Sequence, residues 1–206
     1  MGPPAVNPDA AAGIRWSNAQ EGQRIGPAID RSVVDRARHG DLDAFESIVR
    51  ERMDAVYRLT SAILGDEADA RDAAQETFVA AWRELPRLSD AERFDAWLQR
   101  VAVNAARQTL RARGRRRVRE IPSSFVAARQ DPVVDATVSR ADAAILDAAL
   151  ARLPVEQRAI LVLHHLEGRT VAELATILDV PLGTAKSRLF TARRALADAI
   201  EREEGR

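Results

Sequence analysis

The stretch from Thr170 to Leu196, TVAELATILDVPLGTAKSRLFTARRAL, decides the fold of the C-terminal part of the chain. Thr170 and Glu173 have the spacing of a capping box, in which each side chain accepts a hydrogen bond from the other residue's backbone N–H at a helix start. Pro181 suits the first turn of a helix but not its interior, so a second helix begins after a short turn around Asp179. The sequence therefore predicts two helices joined by a tight turn.

The second of these helices has two distinct faces. Its apolar face consists of residues at helical spacing, namely Ala185, Leu189, Ala192 and Leu196. A polar stripe lies about a quarter turn away at 3.6 residues per turn and contains Thr184, Ser187, Arg188 and Thr191. Helix-turn-helix proteins place such a helix in the major groove, where Arg binds guanine and Ser or Thr reaches base edges or phosphates. The pattern predicts a DNA-reading element, although an ordinary helical hairpin with a solvated polar face has the same periodicity.

The composition favours an all-α protein. Of the 206 residues, 46% are hydrophobic but only 4% are aromatic, which is typical of helices packed through Leu, Val and Ala. The absence of cysteine excludes disulfides and thiolate metal sites, and His164 and His165 lack further ligands at metal spacing. No apolar run of about 18 residues is present, and the N-terminus does not have the pattern of a secretory signal. We therefore expect a cytoplasmic protein without direct membrane insertion, metal or cofactor.

A net charge of zero conceals a strong asymmetry along the chain. Residues 35–95 contain 15 acidic and 9 basic side chains, whereas residues 96–119 contain eight arginines and no acidic residue. Such a density of arginine suits the neutralisation of phosphates with release of counterions. A solvated charge run is the alternative, because the chain has 30 Arg and one Lys among its 31 basic residues and thus a general preference for Arg.

The distribution of proline and of apolar periodicity predicts that the chain has four parts. Residues 1–30 are rich in proline and lack a periodic apolar stripe, so we expect a disordered extension. Residues 31–114 form a first helical domain, residues 115–140 form a flexible linker without a consistent period, and residues 141–206 form a second helical domain. The predicted fold is therefore two small all-α domains joined by a linker.

Three long helices are predicted in the first domain. The first begins at Asp41, a good N-cap, and ends at Gly65. The second runs from about Asp69 to Leu85, and a loop from Pro86 to Ala91 follows it. The third begins near Glu92 and ends at Gly114, with a core stripe of Phe94, Trp97, Leu98, Val101 and Ala105.

Two surfaces of this domain are candidates for binding. On the third helix a strip of polar residues, Arg100, Asn104, Arg107 and Arg111, can follow a nucleic-acid backbone, and the Asn104 amide can read a base edge. Trp97 beside it is either a core residue or a stacking platform for an unpaired base. On the second helix an acidic face consists of Asp72, Glu76, Val79 and Arg83 and is bordered by Gln75. It suits a basic protein partner, or it is simply a solvated helix surface.

Three segments together resemble one protein family. They are DARDAAQETFVAAW at 69–82, FDAWLQRVAVNAARQTLRARGRR at 94–116 and LPVEQRAILVLHHLEGRTVAELATILDVPLGTAKSRLFTARRAL at 153–196. In this order and spacing the chain, over residues 36–200, closely resembles the extracytoplasmic-function (ECF) sigma factors of bacterial RNA polymerase. The resemblance implies two DNA-binding domains, sigma region 2 and sigma region 4, which dock on core polymerase and direct it to promoters.

The resemblance also assigns roles to residues. Asp72, Gln75 and Glu76 match the helix that binds the polymerase clamp, and the loop from Pro86 to Ala91 matches one that captures a flipped base. The −10 element is assigned to Arg100, Asn104, Arg107, Arg111 and Arg115. The −35 element is assigned to the helix-turn-helix at Thr170 to Leu189, with contacts by Thr184, Lys186, Ser187, Arg188, Phe190 and Arg193. The linker matches a segment that threads toward the polymerase active centre. Thr191 stands where many relatives carry Arg or Lys, which leaves the −35 sequence open.

The implied partners are core RNA polymerase, promoter DNA and an anti-sigma factor linked to a membrane. A stand-alone helix-turn-helix regulator is the alternative, and it would bind duplex DNA as a dimer on two half-sites. A DNA-processing enzyme would need a nucleophile with its base or a cluster of metal-binding carboxylates, and no such arrangement is evident in the sequence. We therefore expect a binding protein and not an enzyme.

Overall fold

In the computed structural model, residues 29–117 and 140–205 are described, and they form eight α-helices without a strand. The helices are α1 (Arg31–Arg38), α2 (Leu42–Leu64), α3 (Glu67–Glu84), α4 (Phe94–Arg117), α5 (Arg140–Arg152), α6 (Val155–Leu161), α7 (Val171–Leu178) and α8 (Leu182–Glu204). The predicted all-α class is confirmed. The predicted disordered extension at 1–30 and the flexible linker at 115–140 lie almost entirely outside the described residues.

Helix α2 begins and ends where the sequence predicts. The Asp41 side chain accepts a hydrogen bond from the backbone N–H of Ala44 at 3.0 Å, which satisfies one of the unpaired donors at the helix start. Gly65 ends the helix in the left-handed conformation, with φ of 67°, which glycine adopts without steric cost. Helix α3 begins at Glu67, two residues before the predicted start, because Asp66 caps it by accepting from the N–H of Asp69 at 2.9 Å.

Helix α4 differs from its prediction at both ends. A short 3₁₀ turn, Ala91–Arg93, precedes it, and the helix proper begins at Phe94. At the other end the helix continues through Gly114 to Arg117, so the predicted end at Gly114 is wrong. A glycine inside a helix costs only about 1 kcal/mol relative to alanine, and the arginines around it are good helix formers.

Helices α2, α3 and α4 share one apolar core in the N-terminal half. Phe45 on α2 packs against Trp82 on α3 with ring centroids 4.9 Å apart. Phe94 and Trp97 on α4 lie 5.7 Å apart, and the predicted core stripe of this helix is buried throughout. Trp97 is only 9% exposed, which settles its role as a core residue and not a stacking platform.

The C-terminal half contains α5 to α8, of which α7 and α8 are the two helices of the predicted helix-turn-helix. The capping box at the start of α7 is complete: Thr170 accepts from the N–H of Glu173 at 3.2 Å, and the Glu173 carboxylate accepts from the N–H of Thr170 at 2.8 Å. Asp179 ends α7 with φ of 54°, and α8 follows directly after Pro181. The predicted apolar stripe of α8 is buried, and the helix continues beyond Leu196 to Glu204.

The two halves pack against each other. Helix α4 contacts α6 and α7, and α2 contacts α6 and the π-helical turn Val162–Leu166. This packing places α7, the first helix of the helix-turn-helix, beside α4, with the end of α7 facing the polar strip of α4.

Candidate nucleic-acid and partner interfaces

The predicted docking face of α3 is exposed and stands on a well-packed helix. Asp72, Gln75, Glu76 and Val79 all point away from the core, and Val79 keeps 43% of its surface exposed. The opposite side of the helix is fixed because its residues are buried against α2 and α4, namely Ala70, Ala73, Ala74, Thr77, Phe78 and Ala81. Three polar groups around an exposed valine on a rigid helix are suited to binding another protein.

The polar strip of α4 is present but is not uniformly open. Asn104 and Arg111 are exposed, whereas Arg100 and Arg107 are half-buried. Arg107 donates to the Asn104 side-chain oxygen at 3.4 Å, which orients the amide along the helix. The side chain of Arg115, the fifth predicted contact, lies outside the described residues. Four of the five predicted −10 side chains thus share one side of α4.

Arg107 has an unusual electrostatic environment. Desolvation by burial lowers the pKa of this guanidinium, Glu156 on α6 raises it, and the positive charges of Arg188 on α8 and Arg111 lower it further. Arg107 in the N-terminal half and Arg188 in the C-terminal half are therefore close enough for their positive charges to interact. The predicted −10 and −35 contacts approach each other in this structure.

A cleft of about 490 Å³ separates the α4 strip from the end of α7. Arg100, Asn104 and Arg107 line one side, and residues 177–179 line the other. Glu76 of the docking face borders the same cleft, so two of the predicted surfaces meet there.

Not all arginines of the basic run are available to phosphates. Arg113 on α4 lies 2.7 Å from an Asp69 carboxylate oxygen and 3.6 Å from one of Asp66. These acids stand at the N-terminus of α3, so Arg113 ties the two helices together. Its role in the described structure is to hold α4 against α3, and the phosphate-binding interpretation of the run does not extend to it.

Helix α8 presents the predicted reading face to solvent. Lys186, Ser187 and Arg188 are exposed, and Phe190 is 53% exposed although it is aromatic. Thr184 and Arg193 are half-buried, and the Ser187 hydroxyl donates to the carbonyl of Thr184 at 3.1 Å. Because Ala185 and Leu189 on the other side are buried, the helix is anchored while this face stays accessible.

Three buried polar residues between the two halves were not found from the sequence. Gln99 on α4 is fully buried and donates to the Glu167 carboxylate at 3.2 Å. Burial raises the pKa of Glu167 to about 7, although Arg169, Arg58 and the hydrogen bond from Gln99 each oppose that rise. Arg158 on α6 is 7% exposed, and burial lowers its pKa. Partners this distant along the chain leave no local pattern by which to recognise them.

Family models match both halves of the chain. The model for sigma-70 region 2 matches residues 48–116, and the model for sigma-70 region 4 matches residues 143–196. The RNA polymerase sigma-H factor of Pseudomonas aeruginosa is 31% identical over 84% of this chain and 94% of its own length. The ECF RNA polymerase sigma-E factor of Salmonella typhimurium is 32% identical over 84% of this chain and 94% of its own.

The chain belongs to the ECF group of the sigma-70 family.

This chain is also similar in fold to proteins of known structure. CnrH, in complex with the cytosolic domain of CnrY, superposes on this sigma factor with a TM-score of 0.60 at 26% identity, covering 84% of this chain and 97% of that one. The sigma factor RpoE of Bartonella quintana has the same fold, with a TM-score of 0.59 at 22% identity over 78% of this chain and 98% of that one. The likeness to these structures shows a common fold, and the individual contact residues remain predictions.

Two further features of this sigma factor concern membranes and metals. No helix within residues 29–117 and 140–205 is long and apolar enough to cross a membrane. His164 donates a hydrogen bond through Nδ1 to the carbonyl of Arg169 at 2.7 Å, so its ring has a structural partner. In the same ranges no group of three or more His, Asp or Glu side chains is arranged to hold a metal ion.

Proposed function

We propose that this sigma factor binds core RNA polymerase and directs it to promoters that carry −35 and −10 elements. The observation that carries the proposal is that one chain presents an exposed protein-docking face on α3, a polar strip on α4 and an exposed reading face on α8. A promoter-specific initiation factor needs all three. The protein acts by binding, with catalysis left to the polymerase, and its place of action is the cytoplasm.

The −35 element is read by α8 in the major groove. Arg188 is the exposed group best suited to a bidentate contact with guanine O6 and N7, and Ser187 beside it can bond to several base edges. Lys186 and Arg193 supply charge toward the phosphates, which fixes the register of the helix on the duplex. Phe190 offers apolar surface to a thymine methyl group.

The −10 element is held on α4 as a separated strand. Asn104 carries both a donor and an acceptor on an exposed amide, which can pair with a base edge once that base is unstacked. Arg100, Arg107 and Arg111 follow the same side of the helix at intervals of seven and four residues and neutralise the backbone. Helix α4 is thus suited to capturing a single strand, and this capture helps to melt the promoter.

The docking face on α3 contacts the polymerase clamp. Glu76→Arg reverses a charge at an exposed position and leaves the core intact, so binding to core polymerase is expected to fall by at least tenfold. Glu51→Arg on α2 is a matched control, because Glu51 is also an exposed helical acid but lies outside the face. Core affinity of both variants is measured by fluorescence anisotropy. Equal affinity of the Glu76→Arg variant and the control would place the docking face elsewhere.

Run-off transcription with purified core polymerase on genomic fragments tests the whole proposal and yields the promoter sequence. A stand-alone regulator would instead protect duplex DNA in a footprint without polymerase, whereas the relatives reported above are sigma factors. The complex of CnrH with the cytosolic domain of CnrY is a precedent for regulation by a second protein. We propose that an anti-sigma factor controls this chain in a comparable way.

A further inference from the structure

An ion pair joins the beginning of α4 to the middle of α2. Arg52 on α2 is only 1% exposed, although it is a charged residue. Its Nε donates to an Asp95 carboxylate oxygen at 3.0 Å, and Asp95 lies in the first turn of α4. A guanidinium is costly to bury unless an acid and well-placed hydrogen bonds meet it. Arg52 and Asp95 therefore hold the two helices in one relative position.

A second ion pair joins the last turns of α4 to the beginning of α3. Arg113 donates through Nη1 to an Asp69 carboxylate oxygen at 2.7 Å, and a carboxylate oxygen of Asp66 lies 3.6 Å from the same nitrogen. The three side chains are only 24–30% exposed, so solvent screens these pairs less than it screens a surface salt bridge. We call the Arg52–Asp95 pair and the Arg113–Asp69 pair the helix ties.

The two helix ties lie on one side of α4, and the polar strip lies on another. Asp95 and Arg113 are 18 positions apart, which is about five turns, so their side chains leave the helix in nearly the same direction. At about 100° per residue, the strip from Arg100 to Arg111 is centred about 150° away around the helix axis. The buried stripe of α4 lies between these two directions. Because α4 is held at two points along one side, it cannot rotate about its axis, and the strip keeps one direction.

We propose that Asp95 and Asp69 are positioning residues for the −10 strip. Through Arg52 and Arg113 they fix the rotation of α4, so that the strip faces an unstacked strand in the orientation that capture requires. The role of the strip in this inference rests on the proposed function. Several side chains must be placed together to hold one strand, and their preorganisation lowers the entropic cost of binding. Neither helix tie is itself a DNA contact in this arrangement.

Two substitutions at Asp95 separate its charge from its shape. Asp95→Asn keeps the size of the side chain and an acceptor for Arg52 but removes the charge, whereas Asp95→Glu keeps the charge on a longer side chain. Opening of the −10 region is expected to fall about fivefold in the Asn variant and to stay within about twofold in the Glu variant, because a buried guanidinium requires an ionised partner. A purely structural role in packing would give the opposite order and would overturn the proposal. Asp69→Asn and Asp69→Glu give the same comparison at the more accessible helix tie if a variant at Asp95 does not fold.

Opening is measured in holoenzyme at saturating core polymerase, as the permanganate reactivity of thymines in the −10 region of a promoter obtained by run-off transcription. Glu51→Gln is the matched control, because it removes one exposed acid from α2 without changing either helix tie. Simple electrostatics predicts that loss of an acid near the strip strengthens DNA binding. Opening that is unchanged or faster than in the control, in both the Asp95→Asn and Asp69→Asn variants, would contradict a positioning role.

The salt dependence of promoter binding by holoenzyme tests Arg113 itself. Arg111→Gln removes a predicted phosphate contact two positions away and is expected to reduce the slope of log K against log salt concentration by about 0.7–0.9. Arg113→Gln is expected to leave the slope unchanged, because the charge of Arg113 is already matched by Asp69. A reduction of the same size in the Arg113→Gln variant would make this residue a phosphate ligand and remove it from the helix ties.

Hydrogen exchange of the free protein measures the helix ties without DNA or polymerase. Amides in the first turns of α4 are expected to exchange about fivefold faster in Asp95→Asn, and those in its last turns about fivefold faster in Asp69→Asn. Exchange equal to that of Glu51→Gln, or faster exchange throughout the domain, would refute the helix ties. Failure of run-off transcription together with the expected exchange would remove the proposed function and leave the helix ties standing, so the two failures are distinguishable.

Discussion

Raising the pH from 6 to 8 is expected to weaken the closed form, in which the two halves of the chain pack against each other, because Glu167 is a buried acid at their boundary and accepts a hydrogen bond from Gln99 on α4. Burial raises the pKa of Glu167 from its ordinary value of 4.5 to about 7 in the closed form. The closed form therefore binds the proton more tightly than the open form. Closure is fully favoured below pH 4.5 and loses stability as the pH rises toward 7, and no further loss occurs well above that value.

The expected magnitude follows from these two values. Each unit of difference in the pKa of Glu167 between the two forms corresponds to about 1.4 kcal/mol, so ionising Glu167 costs the closed form about 3 kcal/mol in total. Between about pH 6 and about pH 8 the closed-to-open ratio falls about tenfold, because part of the cost is already present at the lower pH. The charged groups around Glu167 are Arg58 on α2 and Arg169 in its own segment, and Gln99 reaches it from α4.

The chain has no cysteine, so Glu51→Cys on α2 and Asp198→Cys on α8 provide one exposed labelling site in each half, and energy transfer between dyes at these sites measures the closed-to-open ratio across the pH series. The Glu167→Gln variant is the control, because it keeps all three histidines and every other titrating group of the chain. Its transfer should stay constant while that of the unchanged protein falls with rising pH. A parallel slope in both proteins, or closure that strengthens with rising pH, would refute the assignment of the transition to Glu167.

Three further outcomes are expected. Thr170→Ala removes half of the capping box and should lower the free energy of unfolding by about 1 kcal/mol in a urea titration. An unchanged unfolding midpoint would mean that the cap does not contribute to stability. Leu174→Ala, at a position with 0% exposure, should cost about 2–5 kcal/mol in the same titration, and a loss below that range would indicate that the core between α7 and α8 collapses around the gap. Arg188→Ala should weaken binding at the cognate −35 site by about 1–3 kcal/mol in a mobility-shift assay with holoenzyme, and an equal loss on a scrambled site would contradict direct readout.

Much of the local structure is predictable because it depends on residues a few positions apart. The caps at Asp41 and Thr170 and the left-handed end at Gly65 act within one helical turn, and the structure confirms each of them. Partial burial raises the pKa of Glu173, but hydrogen bonds from Thr170 and Arg169 outweigh burial and keep the pKa below its ordinary value. These partners lie within four residues of Glu173, so this effect also follows from the local sequence. Periodicity likewise predicts which side of α8 is buried, since the spacing of its apolar residues is fixed by helix geometry.

The end of α4 and the role of Arg113 depend on contacts with a neighbouring helix, and there the predictions from the sequence are wrong. Helix α4 continues past Gly114, and Arg113 in its last turns is held by Asp66 and Asp69 at the start of α3. That contact supports the helix beyond a residue which, by propensity alone, favours an end. Because Arg113 forms these ion pairs, it is not one of the arginines available to phosphates. Its partners lie on another helix, so the sequence of the arginine run does not reveal them.

The sequence alone determined the all-α class, the helix-turn-helix, the exposed faces of α3 and α8, the position of the polar strip on α4 and the sigma-factor family, because caps, periodicity and motif spacing depend on residues close together in the chain. Only the tertiary structure decided how the two halves meet. Gln99 and Glu167 are 68 positions apart, and Arg158 and Ile63 are 95 positions apart, so nothing local marks them as partners. Burial then determines the energetics of these contacts. The carboxyl of Glu167 has an ordinary pKa in water, but enclosure between the two halves raises that pKa to about 7 and makes their packing depend on pH.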